Sequence, residues 1–156
     1  MIQKNESGYI IYESNVGNLE IKYRDNKIIY IQKTSAAKTN DNKEFSRKII
    51  TQLDEYFCGK RKEFDIDIEL EGTDFQKKVW KALQTIPYGQ TRTYKEIAIQ
   101  VGNEKASRAV GMANNKNSIS IIVPCHRVIG SNGKLVGYAG GLDMKSYLLE
   151  LEKNNK

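Results

Sequence analysis

The apolar pattern changes period at Glu71-Gly72, and that change limits the architectures open to this chain. Before it, apolar and polar residues alternate. Leu19-Glu20-Ile21-Lys22-Tyr23 and Phe64-Asp65-Ile66-Asp67-Ile68-Glu69-Leu70 read as half-buried strands, because successive strand side chains face opposite ways. Tyr9-Ile10-Ile11-Tyr12 and Ile28-Ile29-Tyr30-Ile31 are β-rich runs, with a turn signal at Asp25-Asn26. One helix interrupts them. Phe45, Ile49, Ile50, Leu53, Tyr56 and Phe57 fall at helical spacing, and Gly59 closes the helix just past its C-cap. Residues 1–71 are therefore expected to form a strand-rich unit with one helix, of α+β or α/β type.

After Gly72 the period is helical. Thr73 followed by Gln76 is a capping box, and Phe75, Val79, Trp80 and Leu83 make a stripe that stops at Ile86-Pro87-Tyr88-Gly89. Thr93 and Glu96 form a second capping box, opening a short helix from Tyr94 to Val101 that ends at Gly102. Asn103 is placed to cap a further helix over 104–114. Two short helices joined by a glycine-containing turn match a helix-turn-helix, although ordinary helix pairs share the pattern. Residues 119–123 read as a buried extended run into Pro124-Cys125. A glycine-rich stretch (Gly130, Gly133, Gly137, Gly140, Gly141) follows, then a last helix from Leu142 to Leu151.

Charge divides at the same point. Residues 1–71 carry 12 Lys/Arg against 13 Asp/Glu, and residues 72–156 carry 13 against 6. The chain's net charge of +6 thus lies wholly in the second half. That suits a polyanionic partner, though a solvated lysine-rich face would look the same. No apolar run nears the roughly 18 residues of a membrane span, and the N-terminus lacks a signal-peptide layout. Reduced thiols and a cytoplasmic setting are expected, nuclear in a eukaryote. Two cysteines and one histidine fall short of the usual four zinc ligands, so no metal is expected.

The chain's one histidine directly follows one of its two cysteines, in Pro124-Cys125-His126-Arg127. A free thiol is only slightly ionised at neutral pH, and a neighbouring base activates it. If a histidine does so here, it is His126. Neighbours in extended chain point apart, so a sharp turn or a water relay would be needed to join them. The alternative is a buried, inert Cys125. Cys58, at the end of a helix stripe with no histidine beside it, reads as packing.

Pro124-Cys125-His126-Arg127-Val128 resembles the active-site motif of the O6-alkylguanine-DNA alkyltransferases. The similarity extends to 72–80, to Ile86-Pro87-Tyr88-Gly89-Gln90-Thr91 with Tyr94, to Arg108-Ala109-Val110-Gly111, and to Gly137-Tyr138-Ala139-Gly140-Gly141-Leu142 with Lys145. It is dense over about 72–153 and loose over 1–71. The resemblance implies an N-terminal ribonuclease-H-like α/β domain, 1–71, and a mainly α C-terminal domain, 72–156, with a winged helix-turn-helix. It implies DNA repair by single-turnover, irreversible transfer of an alkyl group from guanine O6 to Cys125, after the base is flipped out of the duplex. By the same resemblance His126 would take the thiol proton through a water and Glu152 would orient His126. Asn117 would hold the active-site turn, and Tyr94 would help rotate the nucleotide and protonate the leaving base. Arg108 would fill the gap in the stack, with Lys105, Ala106 and Ser107 also at the DNA. Tyr138, Ala139, Gly140 and Val128 would line the base pocket.

The implied partner is double-stranded DNA carrying O6-alkylguanine, with O4-alkylthymine as a further candidate. The protein would act as a monomer, without cofactor and away from membranes. Three departures stand out. Ser118 replaces the proline after the family's asparagine, which could loosen that turn. Ala139 lacks a hydroxyl that some relatives have, and the zinc cysteines of some N-terminal domains are absent. Two rival classes remain: a non-catalytic reader of alkylated DNA, in which the cysteine would be replaced, and a cysteine hydrolase, for which no acyl pocket is evident.

Overall fold

The structure is a computed structural model that describes residues 5–39, 41–135, 137–138 and 140–156. It divides between Leu70 and Glu71 into two compact units.

In the first unit β1 (Gly8–Ser14), β2 (Gly17–Arg24) and β3 (Lys27–Lys33) form an antiparallel meander in that order. The β2–β3 turn needs left-handed backbone at two successive positions. Asp25 (φ 52°) and Asn26 (φ 60°) supply it, as short polar side chains tolerate that region. Helix α1 (Glu44–Phe57) buries Phe45, Ile49, Leu53 and Tyr56, while the sheet buries Ile10, Leu19, Ile21, Ile28 and Ile31. Tyrosine hydroxyls tie helix to sheet: Tyr12 donates to Asp54 at 2.6 Å, and Tyr23 shares a 2.6 Å bond with Ser46.

The strand expected over 64–70 is not formed. Among the described residues it makes one isolated parallel bridge, Ile28 to Ile68. The reason lies on helix α1. The Gln52 side-chain amide takes both backbone groups of Asp65, accepting from its N–H at 2.8 Å and donating to its carbonyl at 3.1 Å. With those bonds met by a side chain on α1, the segment is a strap, not a fourth ladder.

The second unit opens with α2 (Asp74–Leu83), whose Thr73–Gln76 capping box is complete. Gly72 is required there, since a Cβ would lie 2.7 Å from the Trp80 ring. The Trp80 indole N–H donates to the Ala113 carbonyl at 2.8 Å, which ties α2 to α4 (Ser107–Asn115). Helix α3 (Tyr94–Gln100), also opened by its own capping box, packs on α4. The two-residue strands β4 (Arg92–Thr93) and β5 (Val128–Ile129) pair in parallel, and α5 (Leu142–Asn154) completes the unit.

Helix α4 starts at Ser107, later than the 104 expected from Asn103. The Asn103 side chain instead accepts from the Lys105 N–H at 3.2 Å, and Ala106 N–H bonds back to the Asn103 carbonyl at 3.0 Å. Asn103 thus closes a separate turn before the helix. Among the described residues no helix is long and apolar enough to cross a membrane.

Candidate active site

Residues 119–123 are not extended as the sequence pattern suggests. Val123 N–H bonds to the Ile119 carbonyl at 3.1 Å and Ile122 N–H to the Ser120 carbonyl at 2.9 Å, folding the run into a tight buried turn. Ile121 sits at its apex with φ 74°, which is costly for a β-branched residue and persists only where the surroundings enforce it. Asn117 is the enforcing side chain. Its amide donates to the carbonyls of Val123 (2.9 Å) and Ile119 (3.3 Å), and its oxygen accepts from Ile119 N–H at 3.0 Å. These bonds close the turn without the proline that Ser118 replaces.

The turn delivers Cys125, His126 and Arg127 onto one 3₁₀ turn, all buried. Cys125 and His126 are therefore not opposed neighbours of an extended chain, because three residues per turn sets their side chains about 120° apart. The Cys125 carbonyl accepts from the Asn114 amide at 3.3 Å.

Glu152 on α5 is 1% exposed and is the hub of the site. His126 Nε2 lies 2.7 Å from its Oε2. Arg127 forks onto both oxygens, Nε to Oε1 at 2.7 Å and Nη2 to Oε2 at 3.0 Å, and its Nη1 donates to the Ile86 carbonyl at 2.7 Å. Gly89 N–H reaches Oε1 at 3.3 Å. Burial alone would raise the Glu152 carboxyl, but the bonds and charges of His126 and Arg127 hold it well below the usual carboxylate range. A carboxylate can only accept, so His126 Nε2 carries the hydrogen. His126 Nδ1 is buried with no hydrogen-bond partner among the described residues, leaving its lone pair as the basic site. Burial also pushes the imidazole below its ordinary value, with Glu152 opposing and Arg127 and Lys145 adding to the fall.

Burial pushes the Cys125 thiol up, while Asn117, the Lys145 ammonium and the Tyr138 hydroxyl pull it back. Lys145 is fully buried on α5, donates to the Val128 carbonyl and lies 6.0 Å from the Tyr94 ring centre. Burial pushes it down to about 8, against the pull of the Cys125 thiolate. Burial, and then the Cys125 charge, raise Tyr94, while the Asn114 side chain lowers it. Tyr138 is raised well above its usual value by burial and by Cys125. Its hydroxyl lies near the thiol and Ser120 but meets hydrogen-bond geometry with no described residue.

The structure thus brings Cys125, His126, Glu152, Asn117, Tyr94 and Tyr138 together. Gly140 backs the Tyr138 ring, where a Cβ would sit 2.9 Å from it. Val128 is buried within the β4–β5 pair. Ala139 lies outside the described residues. Arg108 is exposed on α4 with Ala109 and Met112, and Lys105 is exposed in the preceding turn. Ala106 and Ser107 are half-buried at the helix start. Sequence reasoning assigned no role to Arg127, Lys145 or Asn114. Arg127 had a signal in its place beside the histidine, and Lys145 in its place in the loop segment, whereas Asn114 had none. A cavity of about 1040 Å³ in the first unit, lined by charged residues such as Arg47, Glu55 and Asp67, contains none of the site residues. Among the described residues no cluster of His, Cys, Asp or Glu could hold a metal ion.

A sheet-and-helix unit followed by a helical unit that buries a cysteine, a histidine and a carboxylate defines a two-domain protein with a single buried cysteine–histidine–carboxylate site. Family comparison narrows the class. Residues 8–70 match the ribonuclease-like domain of 6-O-methylguanine DNA methyltransferase, and residues 74–154 match its DNA-binding domain. The chain belongs to the 6-O-methylguanine DNA methyltransferase family. A methylated-DNA–protein-cysteine methyltransferase of Methanosarcina acetivorans is 52% identical over 151 residues, 92% of this chain and 97% of that one. Its counterpart in Methanosarcina barkeri is 64% identical over 115 residues, 74% of this chain and 73% of the relative. The crystal structure of Mycobacterium tuberculosis O6-methylguanine methyltransferase superposes with TM-score 0.87 at 46% identity, covering 97% of this chain and 95% of that one. The Mycobacterium tuberculosis OGT structure in complex with DNA gives 0.86 at 48%, covering 93% and 92%.

Proposed function

We propose that this chain repairs DNA by transferring an alkyl group from guanine O6 to its own Cys125, once per molecule. The observation that carries the reading is the buried Cys125 on the same 3₁₀ turn as His126, whose Nε2 is held by an ionised Glu152. His126 Nδ1 takes the thiol proton through a water. The thiolate attacks the alkyl carbon, the S–C bond forms as the C–O6 bond breaks, and the electron pair leaves with guanine. Tyr94 protonates the departing base, which then needs no charge. The thioether is stable, so the protein is consumed, and no cofactor enters the balance.

Duplex DNA hides the O6 substituent from a buried thiol, so the nucleotide must swing out at a cost of a few kcal/mol. Arg108, exposed near the start of α4, fills the space it leaves, and Lys105, Ala106 and Ser107 lie against the backbone. Tyr138, Ala139, Gly140 and Val128 shape the pocket. In this reading 72–156 is the DNA-binding and transfer domain, 1–71 is its α/β companion, and the protein works as a monomer in the cytoplasm, or the nucleus of a eukaryote. Asn117, by enforcing the strained turn, sets where the thiol sits.

Intact mass after mixing with O6-methylguanine duplex is the test. One added methyl per molecule, located on Cys125, is expected. Unchanged mass with retained binding would make the protein a reader only, and catalytic turnover would make it a hydrolase. O4-methylthymine and benzyl or ethyl adducts in the same assay define the substrate range.

A further inference from the structure

We infer that Arg127 is a positioning residue for alkyl transfer: its guanidinium fixes Glu152 so that Nδ1, not Nε2, is the basic nitrogen of His126. This rests on the reading of His126 as the proton acceptor. The geometry carries it. Arg127 occupies one lone pair on each Glu152 oxygen, at 2.7 and 3.0 Å, and its third arm holds the Ile86 carbonyl at 2.7 Å. A planar fork of this kind sets the rotation of a carboxylate as well as its charge. The carboxylate so fixed offers Oε2 to His126 at 2.7 Å and can only accept there. The Arg127 plane also lies over Tyr88, 5.8 Å from the ring centre, so the fork itself is held.

Other charged or titratable groups face the pair. Lys145 from α5 acts on His126, Cys125 precedes it on the 3₁₀ turn, and Tyr88 and Tyr138 feel the Glu152 charge. Among these Arg127 is the cation bonded to the carboxylate. Losing its charge lets the buried Glu152 take a proton more readily, and it also removes a charge that disfavours protonated His126. Both changes move the acid limb of the transfer rate to higher pH.

The chain has one histidine, so its ring nitrogen NMR signals belong to His126. Wild type should show the neutral Nε2–H form down to below about 6.5, the ordinary histidine value. Arg127→Gln should give a mixed tautomer, an acid limb moved upward, and transfer about 10–100-fold slower at neutral pH, the usual loss for a group that supports a site residue. Arg127→Lys, which keeps the charge without the fork, should restore most of the limb position. Adding Arg127→Gln to Glu152→Gln should slow transfer no further, because both act through one carboxylate. An Arg127→Gln protein that is slow but has the wild-type His126 tautomer and titration overturns the inference. If that variant does not fold, the wild-type spectrum decides, and a charged or Nδ1–H histidine at neutral pH overturns it. Methyl uptake by wild type tests the function separately. Its absence overturns that reading, whereas uptake with an unmoved histidine in Arg127→Gln overturns this inference alone.

Discussion

The two units solve the backbone problem differently. In the first, strand ladders and one helix carry the regular backbone bonds, and buried polar side chains such as Tyr23 and Ser46 tie finished elements together. In the second, side chains hold the backbone of turns and very short elements around the site. Asn117 closes a turn with Ile121 at φ 74°, Asn114 and Lys145 hold the carbonyls of Cys125 and Val128, and Arg127 holds that of Ile86. Regular structure is tolerant because each bond is one of many. A buried side-chain scaffold is specific but brittle, because one lost partner leaves a buried group unsatisfied. The chemistry sits in the brittle unit, where a thiol must be set at one place and angle.

The sharpest break in that comparison is between the two cysteines. Cys125→Ser should abolish methyl transfer and keep DNA binding, because a hydroxyl is far less ionised than a thiol. Cys58→Ser should leave transfer unchanged, because Cys58 is exposed just past the end of α1 and not packed as its place in the helix stripe suggested. Methyl transfer followed by intact mass checks both, and transfer near wild type by Cys125→Ser would remove it as acceptor.

Next in size is the base and its support. His126→Ala should slow transfer about 10²–10⁴-fold, the usual worth of a general base, and Glu152→Gln should cost less, since an amide can still bond the ring. Single-turnover rates give the order, and the reverse order would break the proposed proton path.

Arg108→Ala sharpens the comparison within the second unit, between scaffold and surface. It should slow repair of duplex DNA by at least tenfold more than transfer from free O6-benzylguanine, which needs no flipping; the flip costs a few kcal/mol and 1.4 kcal/mol is tenfold. Equal losses on both substrates would place Arg108 in the pocket's support. Lys105→Ala should mainly weaken binding and lower the salt slope by up to about one.

Lys145 gives a pH signature. In the folded protein it loses its proton at about 8, against 10.5 for the ordinary side chain. Between those values the unfolded chain binds more protons, so this group's contribution to stability rises with pH across that window. Below it the buried ammonium is a cost. Denaturant unfolding of wild type and Lys145→Met should therefore show a gap that shifts in favour of wild type from pH 8 to 10, and a constant gap would refute the assignment.

The smallest effect belongs to the regular unit. Tyr23→Phe should cost about 1–3 kcal/mol by leaving Ser46 unsatisfied, with transfer at neutral pH unchanged. A clear loss of transfer at preserved stability would show that the ladder unit feeds the site.

Local chemistry decided much of this protein from the sequence alone. Alternation marked β2, β-rich runs marked β1 and β3, the Thr73 and Thr93 boxes marked two helix starts, and Asp25-Asn26 marked the turn between β2 and β3, because each depends on residues within a few positions. The Pro124–Val128 motif marked the site by resemblance. Tertiary structure decided the rest. The alternation of 64–70 could not reveal that Gln52, on another element, would take the Asp65 backbone. The apolar run 119–123 could not reveal a fold-back that only Asn117 makes tolerable. The sequence placed Arg127 next to His126, but that both would converge on one carboxylate 25 and 26 positions away depends on how α5 packs. Propensity acts over a few residues, whereas the partners of a buried charge are chosen by the whole core.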